Sequence, residues 1–277
     1  MSKIVKVAAA QMDCVLGDID KNTEKVIDWV GKAAQNGADT IVFPELCLTG
    51  YNQTMIGARW FDLAETKDGE HSMAIRKAAK ENGINVVYSM PQKVSGTPGI
   101  IYISSLVAGK DGELLANYLK IHLWYLEKMY FTPSATCEFA EFYPEWGHAT
   151  TFICYDSCFP EYSRSLALHG VQAIFAPTAW AKSDGRYWDI FVRARACENH
   201  IFFVGANRCG VEGDLALYGG SQIIDPYGDC IAQVKDGEDI IYADLDLDLI
   251  PKAHSTQAHL KDRRPEAYGE VVKHINW

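Results

Sequence analysis

The chain has 277 residues, 48% of them hydrophobic and 22% charged, and carries a net charge of −10. That balance describes a globular protein with enough apolar content for a substantial core, and an acidic chain without a long basic run argues against nucleic acid or an anionic membrane surface as partner. No apolar run is long enough to span a bilayer, and the first residues lead into a strand pattern, not a signal peptide.

Residues 4–11, rich in Val and Ala, predict a strand. Asn22 or Thr23 is placed to cap a helix whose stripe is Val26, Ile27, Val30, Ala33 and Ala34, ended by Asn36-Gly37. Residues 40–43 read as a short buried strand halted by Pro44, and 72–82 as a second helix closed by Gly83. Strands are expected over 84–90, 100–108 and 113–120. A helix over 161–169 opens with Pro160, a strand covers 173–176, a helix 188–200 and a strand 201–207. Two further strands, 222–224 and 231–234, flank the turn Asp225-Pro226-Tyr227-Gly228. Strands alternating with helices argue for α/β layers, and without a Pro/Gly/Ser-rich linker the chain reads as one domain, 1–277. Segments 36–45 and 169–178 look alike, each a helix end, a glycine, a buried strand and a proline. Two related halves would explain this, although any two α/β units share that outline.

The eight cysteines are scattered and form no C-x-x-C pair, and the eight histidines have no H-E-x-x-H or comparable spacing. Sparse thiols point to a reducing, cytoplasmic setting, and a zinc site is not expected.

One thiol stands out. Thr151-Phe152-Ile153-Cys154-Tyr155-Asp156 delivers Cys154 from a β-type run to a corner before the Pro160 helix. A thiol there is held rigidly beside backbone N–H groups free to stabilise an oxyanion, that of Tyr155 first among them. The competing reading is a small buried hydrophobe. Two further charged residues end strands. Glu45 follows Ile41-Val42-Phe43-Pro44, where partial desolvation would raise its pKa into the range of a general base. Lys120 follows a run of apolar residues, and Glu127, seven positions on amid aromatic and aliphatic side chains, needs a partner that Lys120 can supply. A thiol, a carboxylate and an ammonium form a hydrolytic set. Glu45 takes the thiol proton, Cys154 attacks a carbonyl or nitrile carbon, and Lys120 with the Tyr155 N–H meets the developing charge.

At these residues the chain resembles the nitrilase superfamily of carbon–nitrogen hydrolases. Phe43-Pro44-Glu45-Leu46 with Thr49-Gly50-Tyr51 is similar to the family's glutamate motif, Tyr118-Leu119-Lys120-Ile121-His122-Leu123 to its lysine motif, and Ile153-Cys154-Tyr155-Asp156 through Phe159-Pro160-Glu161 to its nucleophile motif. Further similar stretches occur in the family's order through Arg263-Arg264-Pro265-Glu266. The resemblance implies a four-layer α-β-β-α sandwich and a homodimer or higher oligomer, with the tail 254–277 reaching across the interface. It implies Glu45, Lys120 and Cys154 as the triad, Glu127 as a second glutamate that orients lysine and substrate, a thioester intermediate, and no metal or organic cofactor. Many relatives carry arginine at the positions held here by Ser157 and Cys158, neither of which can grip a carboxylate in bidentate fashion. The expected substrate is therefore a neutral or amine-bearing amide in a pocket walled by Tyr51, Trp124, Tyr130, Ser157, Cys158 and Trp180. Nitrile hydrolysis and N-carbamoyl amine hydrolysis are the alternatives within the family, and a catalytically silent binding subunit is disfavoured by the intact triad.

Overall fold

The computed structural model describes residues 4–274. Its N-terminal half runs β1 (Ile4–Gln11), α1 (Ile19–Gln35), β2 (Thr40–Val42), the short helices α2 (Gln53–Ile56) and α3 (Trp60–Leu63), α4 (Glu70–Asn82), β3 (Asn85–Lys93), β4 (Ile101–Ala108) and β5 (Leu114–Leu119). The C-terminal half runs β6 (Ala140–Phe142), β7 (Ala149–Thr151), α5 (Pro160–Leu168), β8 (Ala173–Thr178), α6 (Gly185–Asn199), β9 (Phe202–Asn207), a small hairpin β10 (Val211–Glu212) and β11 (Leu215–Ala216), β12 (Gln222–Ile224), β13 (Cys230–Gln233), β14 (Asp239–Asp246) and α7 (Leu249–Thr256). No helix among the described residues is long and apolar enough to cross a membrane.

Strand alternation builds the layers. In β1, Val5, Val7 and Ala9 face one side while Ala8 and Ala10 face the other, and both sides are buried. The first set joins Val42, Val87, Phe175, Val204 and Ile223 in the core between two six-stranded sheets. The second set lies beneath α1 and α4 with Val26, Val30, Ile41, Ile75 and Val86. On the far side α5 and α6 bury Leu166, Val192 and Ala196 against Ile174, Phe203 and Ile224. Each such large side chain contributes roughly 1.5–3 kcal/mol when fully buried. The result is the expected α-β-β-α sandwich.

The two sheets share one plan. Their orders are β14-β1-β2-β3-β4-β5 and β13-β12-β9-β8-β7-β6. In each, three parallel strands joined through helices continue into two antiparallel strands, and one further strand, β14 in the first sheet and β6 in the second, pairs antiparallel with the first parallel strand. The look-alike segments 36–45 and 169–178 contain β2 and β8, the middle parallel strands of the two units.

Several local expectations are corrected. The first helix begins a turn earlier than its supposed caps, with the Asp18 carboxylate accepting from Lys21 N at 3.2 Å. Asn22 sits inside the helix and bonds outward instead, to Val15 N and O at 2.8 Å and to Leu48 O at 3.0 Å. The strand β14 falls in a stretch with no predicted element, though Ile241, Ala243 and Leu245 alternate there. The helix α7 runs into the start of the tail, and residues 275–277 of that tail lie outside the described residues.

Candidate active site

Three strands end at one place. Glu45 lies just past β2, Lys120 just past β5, and Cys154 just past β7 of the opposite sheet. The two sheets are stitched there by Glu45 N donating to Thr178 O at 3.3 Å. Glu45, Lys120 and Glu127 are fully buried, and Cys154 is 6% exposed.

Lys120 Nζ lies 2.6 Å from Glu45 Oε1 and 2.7 and 2.9 Å from the two oxygens of Glu127. Glu127 also accepts from Tyr51 OH at 2.6 Å and from Trp124 N at 2.8 Å. Every acceptor site of Glu127 that matters is thus committed, whereas Glu45 Oε2 has no hydrogen-bond partner. That orphaned oxygen belongs to the carboxyl that neighbours the Cys154 thiol. Burial pushes the Glu45 carboxyl up to about 7; Lys120 pulls against the shift and the Glu127 charge adds to it. Burial works against the Lys120 ammonium, but Glu127 and Glu45 hold it protonated well above its ordinary range. The Cys154 thiol is pushed up by burial and by Glu45, with Lys120 opposing. At neutral pH the sulfur therefore carries its proton, beside a carboxyl poised to take it.

The backbone here is strained. Leu46, Tyr125 and Cys154 have φ of 49°, 29° and 48°, in the left-handed region that side-chain-bearing residues avoid. All three flank or constitute the site. Asp156 holds the cysteine corner: it accepts from Ile153 N at 3.0 Å, Tyr118 OH at 2.7 Å, His122 N at 3.2 Å and His122 Nδ1 at 2.8 Å. One buried carboxylate thereby ties the lysine segment to the nucleophile segment. Tyr155 N–H lies in the first turn of the 3₁₀ helix Cys154–Cys158, where backbone donors have no partner within the helix. On the other side, Glu212 accepts from Tyr51 N and Asn52 N at 2.9 and 2.6 Å, and Arg208 pairs with it at 2.5 Å. Gly50 fits beside this cluster at φ +83°, where a Cβ would meet Leu16 at 2.7 Å and Glu212 at 2.8 Å.

A cavity of about 370 Å³ opens over Cys154. Tyr51, Trp124, Tyr155, Cys158 and Trp180 line it; Tyr130 and Ser157 do not. Ser157 is fully buried and donates to Cys154 O at 2.6 Å, while its carbonyl accepts from Arg195 Nε at 2.8 Å. Its hydroxyl supports the corner and faces no substrate. Tyr130 packs at the edge of the apolar core. The sequence reading missed Asp184, Tyr187 and Phe191, from the start of α6, and Leu215 from the small hairpin. The aromatic pair Tyr187 and Phe191, stacked at 6.0 Å, was visible as an i, i+4 spacing, but nothing local indicated that it faces the cysteine.

The carbon–nitrogen hydrolase family model matches residues 6–254. The chain belongs to the carbon–nitrogen hydrolase family. The hydrolase is 31% identical over 271 residues to a probable nitrilase of Schizosaccharomyces pombe, spanning 96% of this chain and 98% of the relative. It is 28% identical to the 2-oxoglutaramate amidase of Bacillus subtilis, over 95% of this chain and 98% of that one. Among solved structures, an amidase from Nesterenkonia sp. superposes with a TM-score of 0.82 at 29% identity, covering 98% of this chain and 97% of the amidase. A variant of that amidase is described with the acetamide moiety of fluoroacetamide added covalently at its active-site cysteine. The hydrolase thus falls among enzymes that act on carbon–nitrogen bonds other than peptide bonds.

Proposed function

We propose that the hydrolase cleaves a small carboxamide through a Cys154 thioester, releasing ammonia or an amine. The observation that carries this reading is the single buried contact set in which Lys120 bridges two carboxylates, one of which, Glu45, also neighbours the Cys154 thiol. A carboxyl raised to about 7 is matched to accept and return a proton near neutral pH.

In the first half-reaction Glu45 takes the thiol proton as sulfur attacks the amide carbon. The carbonyl oxygen gains negative charge between the Lys120 ammonium and the Tyr155 N–H. Collapse expels the nitrogen, which leaves with the proton held by Glu45, and a thioester remains. In the second half-reaction Glu45 takes a proton from water as the water oxygen attacks the thioester carbon. The intermediate collapses to the carboxylic acid, and the proton returns to sulfur. Glu127 holds Lys120 in place and is held by Tyr51 and Trp124. The cavity walls are mainly aromatic and aliphatic, with no arginine or lysine among them, which suits an amide without a carboxylate at that end. A panel of simple amides, nitriles and N-carbamoyl amines, read by ammonia release, tests the reading. Amides are expected to be turned over fastest, and Cys154→Ala is expected to lose at least about a thousandfold of that activity. Turnover of nitriles or N-carbamoyl compounds above every amide would overturn it.

A further inference from the structure

Asp184 is the one charged residue among those lining the cavity. It occupies the N-cap position of α6, where an aspartate ordinarily accepts from the first-turn N–H groups. Here its side chain makes no capping bond. Its flanking basic residues, Lys182 and Arg186, are exposed and form no ion pair with it among the described residues. Asp184 lines the cavity beside Cys158, whose thiol is pushed up by burial and, to a smaller extent, by Asp156 and Asp184, with Arg195 and Lys120 opposing. The carboxylate is therefore half-buried, uncompensated and directed by position toward a cavity walled by Trp124, Tyr155, Trp180 and Tyr187.

An uncompensated carboxylate among aromatic faces is the chemistry that binds an ammonium, through a charge-assisted hydrogen bond and cation–π attraction. The buried trio beneath points the same way: two carboxylates share one lysine, so the floor of the cavity never carries net positive charge in its resting state. We infer that Asp184 selects substrates whose far end carries a primary ammonium, so that the preferred amide is amine-terminated. This inference rests on the proposed amidase reading for its catalytic test but not for its binding test.

The catalytic test compares three amides of matched shape, γ-aminobutyramide, valeramide and glutaramate, in the wild type and in Asp184→Asn and Asp184→Glu. The expected result is a kcat/KM for γ-aminobutyramide on the order of tenfold above valeramide in the wild type, with glutaramate poorest. Asp184→Asn is expected to bring the first ratio to about one, and Asp184→Glu, which keeps the charge, to restore part of it. The binding test is calorimetric and needs no turnover: n-butylammonium is expected to bind the wild type about tenfold more tightly than valerate, and Asp184→Asn to erase the difference. A wild type that binds the two ions equally, or an unchanged preference in Asp184→Asn, would overturn the inference. If no amide is hydrolysed yet the ammonium preference and its loss are measured, the amidase reading fails and the role of Asp184 stands.

Discussion

Replacing Glu127 by glutamine removes one charge from a buried trio while keeping its shape. The glutamine carbonyl can still accept from Lys120, while the amide NH₂ gives up the acceptor contacts of the other oxygen. What changes is the field on Glu45. Both carboxylates bind the same ammonium nitrogen, at 2.6 and 2.7 Å, so their nearest oxygens lie within about 5 Å of one another. At an effective dielectric constant near 20, that separation corresponds to about 3 kcal/mol of repulsion, or about 2 pH units on Glu45. The sign is fixed, because the Glu127 charge raises the Glu45 pKa and its loss must lower it. The acidic limb of kcat/KM, which in the wild type reports the carboxyl near 7, is therefore expected to move down by about 1–2 units in Glu127→Gln, protein relaxation absorbing the remainder. The maximal rate falls at the same time, because a weaker base and a less firmly held lysine both raise the barrier. The assay is ammonia release across the pH range, with alkylation of Cys154 followed by mass spectrometry where turnover is too slow. An acidic limb that stays in place or moves upward would refute the assignment of Glu45 as the group that titrates.

Glu45→Gln is expected to lose on the order of 10²–10⁴ in kcat/KM while altering the pH dependence of stability. The Glu45 carboxyl binds its proton more tightly folded than unfolded, with a pKa of about 7 against 4.5, so wild-type stability declines as pH rises across that window, by about 3 kcal/mol in all. Urea unfolding at both ends of the window should show Glu45→Gln losing much less, and parallel curves for the two proteins would contradict the shift. Asp156→Ala strips the acceptor from four donors at once and is expected to cost about 3 kcal/mol in urea unfolding and to slow alkylation of Cys154. Retention of wild-type values in both measurements would show that Asp156 does not hold the corner.

The sequence exposed the parts of the site that sit on regular elements. Glu45, Lys120 and Cys154 each follow a strand whose apolar run was plain, and Glu127 was conspicuous as an acid in apolar surroundings, so Lys120 could be named as its partner. The sandwich followed from the resemblance and from alternating strands and helices. What stayed hidden depends on contacts between distant segments. Asn22 looked like a cap because its neighbours read as a helix start, yet its amide is needed by Val15 and Leu48, and Asp18 supplies the cap. Ser157 was named as a wall residue because it stands where many relatives carry arginine, but on this 3₁₀ turn its hydroxyl comes back to the Cys154 carbonyl. Asp184 was overlooked since the helix was expected to begin only at 188, whereas α6 starts at Gly185 and leaves Asp184 at its N-cap position without a capping bond.

The division of the site between the sheets has a consequence for the newly made chain. The acid and the amine belong to the half synthesised first, and the sulfur to the half that follows. On the proposed assignment of roles, an incomplete chain can hold Glu45 and Lys120 but has no nucleophile beside them, and a thiol in an unpaired second half lacks the base that would draw off its proton. On that assignment reactivity is withheld until the two units close upon each other, so a half-built chain carries no activated sulfur.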